Sequence, residues 1–398
     1  MKIKDSVRKK VLTALLIGTA LTGAGVSKSF AASYSNPNNV QYASRAASDK
    51  LIKKLEQINK SRAVTLHIYK YHEGQSNFRA LVYGAGDLYA FGKDNLALMG
   101  AVDIDGSLFY FRPSDLTGVK DDWVNINDNF GHHGRYYFNY NYMAMTEGFR
   151  HIRNQDYLFG ADKTIQTGFH NVGIGTYYMK PKTGERVTGW YTIGGNRRFF
   201  DPRRGGDMKK GWYADTGGMM YFYSNSGVMA PEGVSYIDDN SDWDHKPGKY
   251  LFLRHGNGTN TYIDYGFYND HGWRYFFSPL DSGRALQDQW YVPNGGRSTD
   301  KNGVMYFDSE GHMAKGVTKI DGETYVFTHK NKRDDNYYRD YGWYTDKSTN
   351  KRYYSSDGVS ARSATNSRET TPMGAAVTGK QIIDGKTYQF DSNGALIK

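Results

Sequence analysis

The chain has 398 residues, no cysteine, 46 glycines, 34 tyrosines and 9 prolines, so it must be stabilised without disulfides. Its formal charge is +10, but residues 1–31 hold six Lys/Arg and one acid; without that net +5 the remainder carries only +5. An excess so small, spread among many acids, argues against nucleic acid as a partner and leaves room for docking on an anionic surface such as an acidic wall polymer.

Residues 1–31 read as a secretory signal peptide. Lys2, Lys4, Arg8, Lys9 and Lys10 form a basic start, Val11–Val26 an apolar stretch, and Ser29-Phe30-Ala31 a small-residue cleavage site. No later segment approaches ~20 consecutive apolar residues, so no membrane span is expected. There is no sorting motif of the LPxTG kind, and Gly394–Lys398 forms no hydrophobic tail. Retention at a cell surface is therefore expected to be non-covalent.

Residues 32–66 form a polar lead with one short helix. Leu51, Ile52, Leu55 and Ile58 fall at helical spacing within 43–60, with Lys50, Lys53, Lys54 and Glu56 largely on the other side. From His67 the character changes to short aromatic strands punctuated by Gly, Asn and Asp, and it stays so to residue 398.

A period runs through this second part. Gly followed by a large apolar residue recurs at Gly148-Phe149, Gly168-Phe169, Gly189-Trp190, Gly211-Trp212 and Gly233-Val234, at intervals of 20, 21, 22 and 22 residues. Looser echoes follow at Gly266-Phe267, Gln289-Trp290, Gly316-Val317 and Gly342-Trp343. Aromatic runs lie between the marks, among them Tyr136-Tyr137-Phe138, Tyr177-Tyr178-Met179, Tyr221-Phe222-Tyr223 and Tyr353-Tyr354. The array is expected to span 67–398, degenerate at 67–100 and 235–289.

Each unit predicts a β-hairpin. In Ile320-Asp321-Gly322-Glu323 the Asp-Gly pair suits a type I′ turn, whose central residues both need positive φ. Alternation then puts Tyr325 and Phe327 on one face, Thr324 and Val326 on the other. An isolated hairpin is marginal in water, so each must bury its aromatic face on the next. The predicted fold is all-β: a hairpin solenoid of ~20-residue repeats with nearest-neighbour contacts.

The segment Ile383-Asp384-Gly385-Lys386-Thr387-Tyr388-Gln389-Phe390-Asp391-Ser392-Asn393-Gly394 resembles the cell-wall/glucan-binding repeat family, which includes choline-binding modules and the glucan-binding repeats of glucansucrases. So does Gly211-Trp212-Tyr213-Ala214-Asp215 leading to Met220-Tyr221-Phe222. The resemblance covers roughly residues 100–398. It implies a non-catalytic module whose ligands sit in shallow aromatic grooves between hairpins. Choline-type repeats open the strand motif with a second Trp, and only Trp273 comes near that place here. The Tyr-rich hairpins with Asp-Gly turns look more like the glucan branch, where a ring offers a flat platform to a sugar.

The candidate ligand-binding residues are Trp190, Trp212, Trp290 and Trp343 at the Gly-Trp position, Trp273 opening a strand, and Tyr137, Tyr178, Tyr221 and Tyr354 within strands. Each has core packing as its competing role. Asp238-Asp239-Asn240-Ser241-Asp242-Trp243-Asp244 fails the EF-hand pattern, with Trp243 at the sixth position and Lys249 at the twelfth. His132-His133 lacks a second pair at metal spacing. No nucleophile elbow, cysteine nucleophile or phosphate loop is present, so no catalytic residue, metal or cofactor is expected.

The sequence thus predicts a secreted, non-enzymatic binder of cell-wall polymer or extracellular polysaccharide, α-glucan-like, held non-covalently at a bacterial surface. The alternatives are choline on teichoic acid as ligand, a wall hydrolase with a cryptic catalytic part in 33–130, and a purely structural or adhesive protein.

Overall fold

The computed structural model describes residues 40–60, 67–71, 78–84, 86–92, 95–293, 303–330, 335–357, 361–363 and 373–397. The expected signal peptide lies outside the described residues. The described chain is nearly all β, a succession of two- and three-stranded antiparallel sheets following one helix, Arg45–Lys60. It divides into two compact units: Met1–Gly189 with Pro202–Asp207, and Trp190–Asp201 with Met208–Lys398.

The helix starts where Ser44 Oγ accepts the Ala47 N–H at 3.2 Å, an N-cap. Its apolar stripe buries Leu51 and Leu55 against Val82, Tyr89, Phe91 and Leu116. Ser48, fully buried, accepts the Ala97 N–H at 3.0 Å and fastens the helix to the chain that follows.

Regular hairpins then dominate: Asp122–Asn127 with His133–Phe138, Gly148–Ile152 with Gln155–Phe159 and Gly168–Val172 with Gly175–Met179 in the first unit. The second unit continues with Gly211–Asp215 and Gly218–Phe222, Gly266–Asp270 and Trp273–Phe277, Gly342–Thr345 and Arg352–Ser355, and three-stranded variants between them. The two-residue turns take the expected backbone: Asp321 and Gly322 have φ of 49° and 90°, Asp384 and Gly385 49° and 74°.

Alternation puts Tyr325 and Phe327 on one face and Val326 on the other, as expected, and both faces are buried. Thr324, Tyr325, Val326 and Phe327 are all buried, because this second strand is packed on both sides. Tyr325 and Phe327 face back to Trp290 and Tyr306, whereas Val326 faces forward to Tyr353. Tyr354 points forward again, to Ile383 and Phe390. In the first unit Tyr136 and Phe138 face back to Ala101 and Leu108, and Tyr137 forward to Ile152 and Tyr157. Continuous aromatic runs are what a strand with two buried faces requires.

The backbone between hairpins seals these layers. Ala144 N–H donates to Leu108 O of the preceding hairpin at 2.8 Å, and Met145 N–H to Tyr137 O of its own at 2.9 Å. The same pair of bonds recurs with Ile165 to Arg135 and Gln166 to Leu158, Met229 to Arg197 and Ala230 to Tyr221, and Leu396 to Arg352 and Ile397 to Gln389. Each connecting segment thus ties one hairpin to its predecessor.

An ionic contact joins neighbouring repeats in the first unit. His132 Nδ1 lies 2.8 Å from Asp128 Oδ2, its Nε2 3.4 Å from Asp103 Oδ2, and Lys163 Nζ 3.6 Å from Asp103 Oδ1. The bond to Asp103 raises His132 above its ordinary 6.5; burial opposes this and Asp128 supports it. The same bond holds Asp103 below its ordinary 3.8 against burial, with Lys163 assisting.

Two outcomes are expected. Nothing lies within 4 Å of a Cβ built on Gly322, so Gly322→Ala tests backbone conformation alone. It should cost about 1 kcal/mol in denaturant unfolding, and Gly322→Asn less, because Asn visits positive φ more readily. The His132 contribution is fully present below 6.5 and lost as pH rises through the raised value, while that of Asp103 is lost as pH falls through its depressed one. Melting between about pH 6 and about pH 8 should therefore show wild type losing more stability than His132→Gln; parallel curves would show the contact contributes nothing.

Candidate binding grooves

The second residue of the first strand carries a large ring in most of these hairpins, and its surroundings repeat. Trp123 meets its cross-strand partner Tyr137 edge-on at 5.0 Å and reaches Tyr157 of the next hairpin at 5.0 Å and Phe159 at 6.0 Å. Trp212 does the same with Tyr221 at 4.8 Å, Tyr250 at 5.0 Å and Phe252 at 6.3 Å. Trp290 contacts Tyr306 and Tyr325, each at 5.0 Å, and Phe327 at 6.0 Å. Trp343 contacts Tyr354 at 5.2 Å, Tyr388 at 4.9 Å and Phe390 at 6.0 Å. Trp190 is held by Phe199 and Phe222 at 5.0 and 5.7 Å. The edge-on approach sets the electropositive rim of one ring against the face of the next.

Each of these five creases is therefore walled by three or four aromatic rings. Tyr137, Tyr178, Tyr221 and Tyr354 form the inner wall and are 6%, 7%, 3% and 6% exposed, so in this packing they are core. Trp212 is likewise buried. Trp190, Trp290 and Trp343 are half-buried and border the surface. Burial pushes the Tyr250 hydroxyl up to about 12 and raises Tyr221 well above its ordinary value, with Asp239 adding to the rise.

A cationic group lies against most of these rings. The guanidinium carbon sits 4.3 Å from the ring centroid in Arg135 over Trp123, 4.8 Å in Arg186 over Phe149, 4.6 Å in Arg197 over Trp190, 4.9 Å in Arg274 over Phe267, 5.3 Å in Arg339 over Trp290 and 4.6 Å in Arg352 over Trp343. Four of them, Arg135, Arg197, Arg274 and Arg352, occupy one sequence position, two residues before the ring that packs against the capped one: Tyr137, Phe199, Phe276 and Tyr354. A two-residue step returns to the same strand face, so the cation and both rings share one side of the hairpin. Where that position holds Met219, the cap on Trp212 is the His245 imidazole, stacked at 4.3 Å and brought by the segment between Ile237 and Gly248. Where it holds Val304, Arg339 of a third strand substitutes.

Trp273 stands apart at the tip of its hairpin, 41% exposed. His312 stacks on it at 4.1 Å and Lys315 Nζ lies 4.7 Å from its centroid. Beside it opens a groove of about 330 Å³ lined by Asn269, Arg274, Lys315, His329 and Tyr337. The acidic loop is organised by its own backbone: Asp239 accepts from Ser241 N–H at 2.9 Å and Asp242 from Asp244 N–H at 2.8 Å. Among the described residues no three His, Cys, Asp or Glu side chains are placed to hold a metal, and no helix is long and apolar enough to cross a membrane.

Two parts of this arrangement were missed by the sequence reading. Trp123 follows Asp122 rather than glycine and escaped the Gly-aromatic search, although it occupies the same structural position. The arginine caps had a signal, an Arg two residues before a strand aromatic, that went unused.

A family model described as a choline-binding repeat matches residues 187–232, which include Trp190 and Trp212. Glucosyltransferase-I of Streptococcus downei is 28% identical over 289 residues, 61% of this chain and 17% of its own length. Glucosyltransferase-S of Streptococcus mutans is 26% identical over 256 residues, 60% of this chain and 15% of its own. The chain thus spans less than a fifth of either relative. A solved structure of CbpJ from Streptococcus pneumoniae TIGR4 aligns with 80% of this chain and 100% of its own, at 18% identity and a TM-score of 0.42.

The packing predicts that Trp123→Ala, which opens a crease, costs roughly 3 kcal/mol by denaturant unfolding and reduces the near-UV circular dichroism of the rings. Trp243, 96% exposed, is the control: Trp243→Ala should change stability by less than about 0.5 kcal/mol.

Proposed function

We propose that this chain, built of repeats of the cell-wall- and glucan-binding type, is a non-catalytic binding protein that holds a polysaccharide along its creases. The polymer is a cell-wall or α-glucan-like chain, and the protein is exported and retained at the cell surface through that binding alone. The observation that carries this reading is the repetition of one local arrangement, a half-buried ring beside a planar, multiply donating guanidinium, at Trp123, Trp190 and Trp343. A ring edge and C–H face contact combined with fixed N–H donors suits a surface of hydroxyls and C–H groups.

Trp190, Trp290 and Trp343 are assigned the ligand contact, and Trp273 a further contact at the hairpin tip. Tyr137, Tyr178, Tyr221 and Tyr354, together with Trp212, support the groove from behind. Each groove is shallow, so affinity per site is weak and the polymer is held by several sites at once; linking the sites on one rigid support multiplies the effective concentration. The choline-binding repeat matched at residues 187–232 supports a second reading in which the ligand is choline on a wall polymer.

The test is co-sedimentation of residues 32–398 with insoluble α-glucan and with purified cell walls, each in the presence of soluble dextran or choline. Retention on the polymer and elution by dextran are expected, with Trp290→Ala and Trp343→Ala together weakening retention at least tenfold (about 1.4 kcal/mol). Elution by choline alone would favour the second reading, and full recovery in the supernatant from both polymers would overturn binding altogether. Release of reducing ends from the wall would mark the chain as a hydrolase instead.

A further inference from the structure

A ring pocket that admits a quaternary ammonium needs an aromatic face with no cation already on it, because the attraction is between the ring's negative face and the incoming charge. In this chain a guanidinium already lies on Trp123, Phe149, Trp190, Phe267, Trp290 and Trp343. Arg135 lies over Trp123, the ring that meets Tyr157 of the next hairpin at 5.0 Å, so the guanidinium sits on a ring that walls the crease between repeats. Arg339 lies over Trp290, which meets Tyr325 of the next hairpin at 5.0 Å. Three caps are held by further bonds: Arg197 Nε donates to Asn260 Oδ1 at 2.7 Å, Arg274 Nε to Asn336 Oδ1 at 2.6 Å, and Arg186 pairs with Asp156. The substitution pattern points the same way, since three hairpins that lack Arg at the common position have their rings capped from elsewhere, Phe149 by Arg186, Trp212 by His245 and Trp290 by Arg339.

We propose that these arginines are specificity-determining residues: they occupy the aromatic creases as built-in cationic occupants, exclude quaternary ammonium ligands, and leave the outer ring edges and guanidinium donors for neutral or anionic sugars. The proposal rests on the reading of the creases as binding sites. A second cation entering beside a fixed guanidinium meets like-charge repulsion at close range, whereas a sugar hydroxyl or a wall phosphate meets a donor. Trp212 is the weakest barrier, because its cover is a single imidazole on an inserted segment rather than a strand-borne guanidinium.

The experiment compares wild type with Arg352→Ala, and with Arg135→Gln in the other unit, which keeps a planar side chain while removing the charge. Choline titration is followed by tryptophan fluorescence, and glucan or wall retention is measured in parallel on the same preparations. Wild type should give no saturable choline response, the variants a saturable one at least tenfold tighter than any wild-type limit, and Arg352→Lys should behave as wild type. Retention on the polymer reports the binding function separately, so its loss in every protein would refute that function without touching the choline result. A saturable choline response in wild type as strong as in the variants would overturn the proposal, as would its absence in both neutral variants when their melting curves match wild type.

Discussion

The structure depends on one constraint: the second strand of the interior repeats is packed on both faces, as at residues 136–138 and 325–327, whereas that of the last hairpin, Lys386–Phe390, leaves Thr387 and Gln389 exposed. A hairpin of two five-residue strands cannot bury enough surface alone, and one aromatic face would yield only pairs of hairpins. Placing rings on both faces makes each hairpin the lid of one cluster and the floor of the next, as Val326 and Phe327 do from adjacent positions. The connecting segments add a backbone bond to the preceding hairpin and another to their own, so main chain and side chains enforce the same order. Stability in such an array is local, a sum of repeat and neighbour terms, and every interior repeat is structurally essential to the two beside it.

This constraint shapes the grooves. Because the second-strand tyrosines are consumed as core, the rings left at the surface are those of the first strand, with their inner edges locked in edge-to-face contacts. A ring so held offers little freedom to adapt. Variation between creases is therefore carried by what lies over the ring: a guanidinium two residues upstream of the partner ring, a guanidinium from a third strand at Trp290, or the His245 imidazole at Trp212. Asp156 shows how a cap can be recruited from further away, since it lies opposite His151 in its hairpin and fixes Arg186 over Phe149.

Much of this was legible in the sequence. The Asp-Gly pairs at Asp321 and Asp384 announced type I′ turns because the chemistry of positive φ is local, and Leu51 and Leu55 announced the helix face for the same reason. The period of about 20 residues announced stacking. What was not legible is what depends on the neighbour. Alternation correctly set Thr324 and Val326 opposite Tyr325 and Phe327, but a single strand carries no sign of a second sheet behind it, so the burial of that second face was not legible. Likewise the Asp103–His132 contact spans 29 residues and the Arg197–Asn260 bond 63, separations at which residue type gives no register.

The inserted segment between Ile237 and Gly248 shows how such a fold acquires new chemistry without losing its order. Its flanking strands keep full antiparallel register, Gly233 opposite Phe252 and Ile237 opposite Gly248, so the extra residues leave the ladder undisturbed. Lengthening a loop costs little, with each doubling adding roughly 0.6 kcal/mol of closure entropy. In return the segment folds back through Asp242, which accepts from His245 N–H at 3.2 Å and faces its Nδ1 at 3.2 Å, and lays the imidazole on Trp212. Tyr250, at the start of the returning strand, donates its hydroxyl to Lys246 O at 2.5 Å and closes the segment from the other side. A solenoid built on nearest-neighbour burial can thus change one crease by a lateral insertion while the ring stack on either side continues unaltered, which is how identical backbones come to carry differently covered sites.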